Sequence, residues 1–165
     1  MTKSSGFTLI ELLVTITIMV VLLTLSVVML RGGQIDARDE KRTTDATVIA
    51  QQMENRYISG GNASVGRGSY PPTTTVDTES EVLSVLRDLD KKALRAPDVP
   101  DSSPMSFSVA SGSGTQTPSI NSYIYQPLTA SGNICQSSGA ECVKFKMWYR
   151  LEVDSSVKQI QSRNQ

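Results

Sequence analysis

Residues 7–30, FTLIELLVTITIMVVLLTLSVVML, contain one charged side chain, Glu11, and otherwise only the hydroxyls of Thr8, Thr15, Thr17, Thr24 and Ser26 among apolar groups. At 1.5 Å per residue this run forms a helix about 36 Å long, against a hydrocarbon core of about 30 Å, so it is long enough to span a bilayer. Threonine and serine can return their hydroxyls to backbone carbonyls and are tolerated there. A carboxylate has no such outlet. Insertion scales charge roughly 2.5–3.5 kcal/mol for an ionised acid at mid-bilayer, so the position of Glu11 asks for a partner.

The rest of the sequence limits what that partner is. A chain of 165 residues whose first thirty or so lie in a membrane has about 130 left, enough for one small soluble domain. Lys+Arg and Asp+Glu both number 16, so net charge supplies no argument for bulk attraction to nucleic acid or anionic lipid. Histidine is absent and only two cysteines occur, which removes the usual general base and the ligands for a zinc site. No nucleophile–base pattern, phosphate loop or metal cluster stands out, so no catalytic residues, metal or cofactor are expected. The opening MTKSSG is too short for an ordinary secretory leader, and no small-x-small cleavage site follows the apolar run, which should stay on the mature chain.

Beyond residue 30 the helix is expected to continue, because Ala46, Ile49, Ala50, Met53 and Tyr57 recur at helical spacing as an inward stripe. Asp39 with Arg42 and Lys41 with Asp45 stand three or four apart and read as exposed pairs. Gly32-Gly33 is the place for a bend or local melting, and Ser59-Gly60-Gly61 ends the helix. Thr78-Glu79-Ser80-Glu81 reads as a capping box opening a second helix over about 79–93, which APDVPDSSP stops. Strand signals follow at 105–110, 122–126 and 142–153. In the last, Val143, Phe145, Met147, Tyr149, Leu151 and Val153 face the long helix, while Lys144, Lys146, Trp148, Arg150 and Glu152 face water. SGSGTQTPS and TASGNICQSSGAEC are Ser/Gly loops, and the polar tail 154–165 is expected to be disordered.

Lys3 followed by Gly6-Phe7-Thr8-Leu9-Ile10-Glu11-Leu12-Leu13-Val14 resembles the class III signal of type IV pilins and of the pseudopilins of type II secretion and competence systems. Gly-x-Tyr-Pro at 68–71 is again similar to pilin-like proteins, although the helix-breaking proline that many relatives carry in the apolar half is missing here. The resemblance implies an α+β fold with a long N-terminal helix packed against a small antiparallel sheet. It divides the chain into a leader at 1–6, a membrane and filament-core helix at 7–30, its amphipathic continuation at 31–59, a head at 60–153 and a tail at 154–165. It implies that a prepilin peptidase cuts after Gly6 and methylates the new terminus at Phe7. Numbered from Met1, the chain reads as the unprocessed precursor. Cleavage frees an α-amino group of unperturbed pKa about 7.7–8.0 at a helix N-terminus. Glu11, one turn deeper, would pair with that group on a neighbouring subunit and favour one axial register. The implied partners are a homo-oligomeric helical filament, the peptidase, the assembly platform and its ATPases, and the membrane.

In an exported head, Cys135 and Cys142 are expected to form a disulfide contributing about 2.5 kcal/mol by chain-entropy arithmetic. Lys144, Lys146, Trp148 and Arg150 form a basic stripe with an aromatic that could hold phosphates and stack a base, the ordinary alternative being a solvated strand face. Asn62-Ala63-Ser64 matches a glycosylation acceptor and nothing else supports it. The implied function is that of a pilus subunit serving adhesion, motility or DNA uptake, on the cytoplasmic membrane as precursor and at the cell surface once assembled. Alternatives are a secretion or competence pseudopilin, or a domain merely tethered by its span.

Overall fold

The computed structural model describes residues 6–60, 66–137 and 141–164. Lys3 and the rest of the leader before Gly6, and Asn62-Ala63-Ser64, lie outside them. The chain divides into two compact units, Met1–Ala37 and Arg38–Gln165.

The first unit is helical from Leu9 onward and belongs to α1, which runs Leu9–Ser59. The hydroxyls of Thr15, Thr17 and Thr24 donate to the carbonyls three residues earlier, and Ser26 to that of Leu22, all at 2.8–2.9 Å. The polar atoms of the apolar run are thus consumed within the helix. Gly32 and Gly33 are helical, contrary to the expected melting point. Two glycines cost about 0.8–1.0 kcal/mol each relative to alanine, too little to interrupt a ladder with many residues on either side.

In the second unit, α1 ends at Ser59 because Gly60 adopts φ 72°, a left-handed cap that only glycine takes without strain. Its N–H returns to Arg56 O at 3.0 Å, while Gly68 N–H and Arg67 Nε satisfy the carbonyls of Tyr57 and Ile58. Thr78 caps α2 (Glu79–Val85) with the reciprocal Glu81 bond of a capping box. The helix stops about eight residues sooner than its apolar spacing suggested, and Lys91–Leu94 form a separate 3-10 turn capped by Asp90. Leu86 and Leu89 remain buried on the turn between them, which shows that burial was read correctly and backbone was not.

The sheet has order β1-β2-β3-β4, from Phe107–Val109, Tyr123–Leu128, Lys144–Arg150 and Val157–Gln161. β2, β3 and β4 are antiparallel neighbours, but β1 runs parallel to β2, so the sheet is mixed. The expected disordered tail is instead an edge strand. Asp154-Ser155-Ser156 makes the turn, with Ser155 at φ 56°, Ser156 N–H on Asp154 Oδ1 and Leu151 N–H on Ser156 O. The polar sequence of β4 had hidden it.

Ala46, Ile49, Ala50 and Met53 of α1 share one core with Val82 of α2, with Leu86 just beyond it, and with Phe107, Tyr123, Tyr125, Phe145 and Met147 of the sheet. Tyr123 donates to Asp45, and Tyr70 to Glu54, so the buried phenols are satisfied. Of the pairs expected on the wet side of α1, Asp39 and Arg42 are both buried, while Asp45 is buried and its partner Lys41 stays exposed. Glu152, expected on the solvent face of a strand, lies beyond β3 and pairs with Arg38 and Arg42.

Candidate functional site

The N-terminal segment has its own local order. Gly6, Phe7 and Thr8 precede the helix, and Thr8 caps it: Glu11 N–H donates to Thr8 Oγ1 at 3.3 Å, and Glu11 Oε2 accepts from the Thr8 N–H at 2.9 Å and its hydroxyl at 2.8 Å. This is the reciprocal box of Thr-x-x-Glu. The same spacing was recognised at 78–81 and missed at 8–11, where the carboxylate drew attention only as an intramembrane charge. The box gives Glu11 an intramolecular partner while the Phe7 nitrogen is tied in the peptide bond from Gly6.

Around that cap every described side chain of residues 6–30 is exposed, Phe7 at 82%. Leaving a continuous run of leucine, isoleucine and valine in water forfeits about 25 cal/mol per Å² of apolar surface, so the segment suits an apolar surrounding. The helix is long and apolar enough to cross a membrane.

In the head, Cys135 and Cys142 are bonded, with Cα atoms 5.7 Å apart, and both are fully buried. Cys142 O accepts the Tyr70 N–H at 2.7 Å, and Cys135 O that of Thr73 at 3.1 Å, so the bridge holds the Gly-x-Tyr-Pro segment against the sheet. Tyr70 is packed between Tyr57 and Phe145, and burial pushes its phenol up to about 12.

The four residues of the basic stripe do not behave alike. Lys144, Lys146 and Arg150 are half-buried on the outer side of β3, but Trp148 is only 7% exposed. Its indole N–H donates to Gln126 Oε1 at 2.9 Å, and the same amide donates to the carbonyls of Gly112 at 2.8 Å and Gly114 at 2.7 Å. The Ser/Gly loop after β1 is thereby latched over the tryptophan, and no ring is left to stack a base. Among the described residues no cluster of three or more acidic or cysteine side chains could hold a metal ion.

A long apolar N-terminal helix followed along the chain by a small α+β head is a pilin-like layout. Residues 1–27 match the family described as the prokaryotic N-terminal methylation motif, so the chain carries the class III prepilin signal of type IV pilins and pseudopilins. No curated protein and no solved structure matches the chain.

Proposed function

We propose that this chain is a structural subunit of a type IV pilus-type filament, released from its leader after Gly6, methylated at Phe7 and assembled from the membrane with its apolar helix in the filament core. The observation that supports the reading is the methylation motif over residues 1–27, whose described part runs into α1 from Leu9 with its apolar side chains exposed. Burying that surface against copies of itself recovers the hydrophobic energy that the lone chain forfeits outside lipid. Removing Gly6 adds a cationic amine one turn from Glu11, and a neighbour's amine can then replace the Thr8 contacts as the partner of that carboxylate. The pilus reading is preferred over a secretion pseudopilin because the head is closed by a disulfide and has no acidic calcium loop among its described residues.

Intact mass and N-terminal peptide mapping of protein sheared from the cell surface is the test. A chain beginning at N-methylated Phe7 and two hydrogens light supports the reading. A chain beginning at Met1 and confined to the membrane overturns it in favour of a tethered domain.

A further inference from the structure

Of the five tyrosines, Tyr70, Tyr123, Tyr125 and Tyr149 are buried, and Tyr57 alone is half-exposed. Tyr57 stands in the last turn of α1, and its ring centre lies 4.6 Å from that of Tyr70, with the planes tilted by 32°. The other ring pairs among the described residues are 4.8–6.0 Å apart, and each includes a phenylalanine. Tilted rings at such distances are ordinary core packing. What sets this pair apart is that both rings are phenols, that one of them reaches the surface, and that the inner one has a proton acceptor.

The Tyr70 hydroxyl donates to Glu54 Oε2 at 2.9 Å and accepts from Asn164 Nδ2 at 3.0 Å. Burial pushes its pKa up to about 12, so the phenol stays protonated and gives up an electron most readily when its proton leaves at the same time. Glu54 is placed to take that proton, and the Asn164 amide to bond the oxygen left behind. The other buried phenols lack one part or another. Tyr125 donates to Pro71 O, a carbonyl that is no base, and Tyr123 donates to Asp45 but has no aromatic ring beside it among the described residues.

We propose that Tyr57 and Tyr70 are a modification site at which one-electron oxidants, of the kind that peroxide forms on a haem peroxidase, join the two rings as a dityrosine. Tyr57, the accessible phenol, loses one electron and its proton to the oxidant. Tyr70 then refills it: the electron crosses between the touching rings, the Tyr70 proton passes to Glu54, and the Tyr57 oxygen takes a proton from water. A second oxidation at Tyr57 sets two phenoxyl radicals side by side. Their unpaired electrons form one carbon–carbon bond between ring positions next to the oxygens. Those two carbons each lose a proton, the two oxygens each gain one, and Glu54 releases its proton to solvent. In sum the two phenols lose two electrons and two protons, and one hydrogen peroxide becomes two waters. Because the rings are already in contact, coupling within the chain outruns coupling between chains. The bond ties α1 to the segment whose Tyr70 N–H is held by Cys142 O, and thiols do not cleave it. Its setting, a head exported to oxidants, rests on the filament reading; the chemistry does not.

The test uses the full chain, dilute in non-ionic detergent micelles, treated with hydrogen peroxide and a haem peroxidase. The monomer band is reduced with thiol, alkylated and digested with trypsin, which releases residues 57–67 and residues 68–87 as separate peptides. The expected product is those two peptides joined, two hydrogens lighter than their sum and carrying dityrosine fluorescence. Tyr57→Phe keeps the half-exposed ring and its packing and abolishes the product. Glu54→Gln keeps a hydrogen-bond acceptor for Tyr70 but no base, and lowers the yield at least about tenfold, with its fold checked by circular dichroism. Absence of the joined pair in the parent monomer, coupling confined to pairs of chains, oxidation confined to Trp148 or methionine, or an equal yield from Glu54→Gln overturns the assignment. Because the reagent is the single solubilised chain, a protein that never polymerises still gives a result.

Discussion

Asp39 Oδ1 accepts the backbone N–H of Glu152 at 2.8 Å, so one carboxylate on α1 holds the chain where it leaves β3. Its other oxygen accepts Val153 N–H at 3.0 Å. Arg42 Nη1 lies 2.8 Å from Asp39 and 3.1 Å from Glu152, and its Nε donates to Ile120 O. With Arg42 only 1% exposed, this is a buried charge cluster, for which removal of one partner costs about 3–5 kcal/mol. Asp39→Ala should therefore lower the unfolding free energy by about 3 kcal/mol in urea titrations. Asp39→Ala combined with Arg42→Met should cost less than the two single changes added together. A loss below about 1 kcal/mol in the single variant would place the cluster in solvent.

The acids of the head divide by the direction of their pKa, and the division predicts the pH profile. Burial pushes the Asp39 carboxyl up, but the Glu152 and Val153 amides and Arg42 outweigh it and hold it below the usual range. Glu152 is held low chiefly by its hydrogen bond to Arg38. Depressed folded values give stability that is present above an unfolded pKa of about 4 and is lost as pH falls through the folded values. Asp45 runs the other way, because burial raises it in spite of Lys41. Its contribution is present below about 3.9 and is lost as pH rises through the folded value. Melting temperatures should fall steeply below about pH 4, and Asp45→Asn should gain on the parent as pH rises from about 4 to 6.

Periodicity located the inward stripe of α1, the cap at Thr78 and the centres of the first three strands, because each is a local signal. It failed where the deciding partner lies far away in the chain. The spacing of Asp39 and Arg42 shows that they share a helix face, but Glu152, more than a hundred residues later, decides that the face is buried. Trp148 falls on the outer side of β3 by strict alternation, yet it is buried, its indole N–H bonded to the Gln126 amide that also reaches Gly112 and Gly114. β4 is an edge strand exposed along much of its length, so VKQIQ carries little of the hydrophobic alternation by which strands are read. At the N-terminus the missed box at Thr8 and Glu11 was a local signal in full view, obscured by reading the glutamate for its charge alone.

Reducing the Cys135–Cys142 bond should cost about 2.5 kcal/mol, seen as a lower urea midpoint with dithiothreitol than without. The Tyr70 and Thr73 amides donate to the two cysteine carbonyls, so the change should reach the segment after α1. Hydrogen exchange at those two amides should accelerate on reduction, together with exchange near the bridge. Exchange at Ala46 and Ile49 should rise less.

Glu11 closes the cap of α1 at Thr8, and in the proposed filament it would also offer a charge to a neighbour's terminus; one substitution divides the two. Glutamine at the third helical position still completes a capping box, whereas alanine does not. Glu11→Gln should therefore preserve membrane insertion and leader removal while losing the charge offered to a neighbour's terminus. Processed chain should accumulate in membranes, with the sheared surface fraction falling at least about tenfold, the equivalent of about 1.4 kcal/mol per subunit contact. Normal recovery of Glu11→Gln in sheared filaments would show that capping, rather than charge, is what the position supplies.

Trp148 is the only tryptophan in the chain, so its emission reports directly on the loop that covers it. Gln126 is fully buried and satisfies three groups at once, the indole N–H and the Gly112 and Gly114 carbonyls. Gln126→Leu removes all three bonds and leaves the indole N–H unsatisfied, which costs about 1–3 kcal/mol. The two carbonyls can recover water only if the loop lifts, and the emission should then shift to the red and become open to acrylamide quenching. Gln126→Glu keeps an acceptor for the indole but turns a carboxylate toward two carbonyl oxygens, so it should open the loop further than the leucine does. Blue, unquenched emission in both variants would mean that the loop is held by contacts other than this amide, and that Trp148 stays covered for reasons of packing alone.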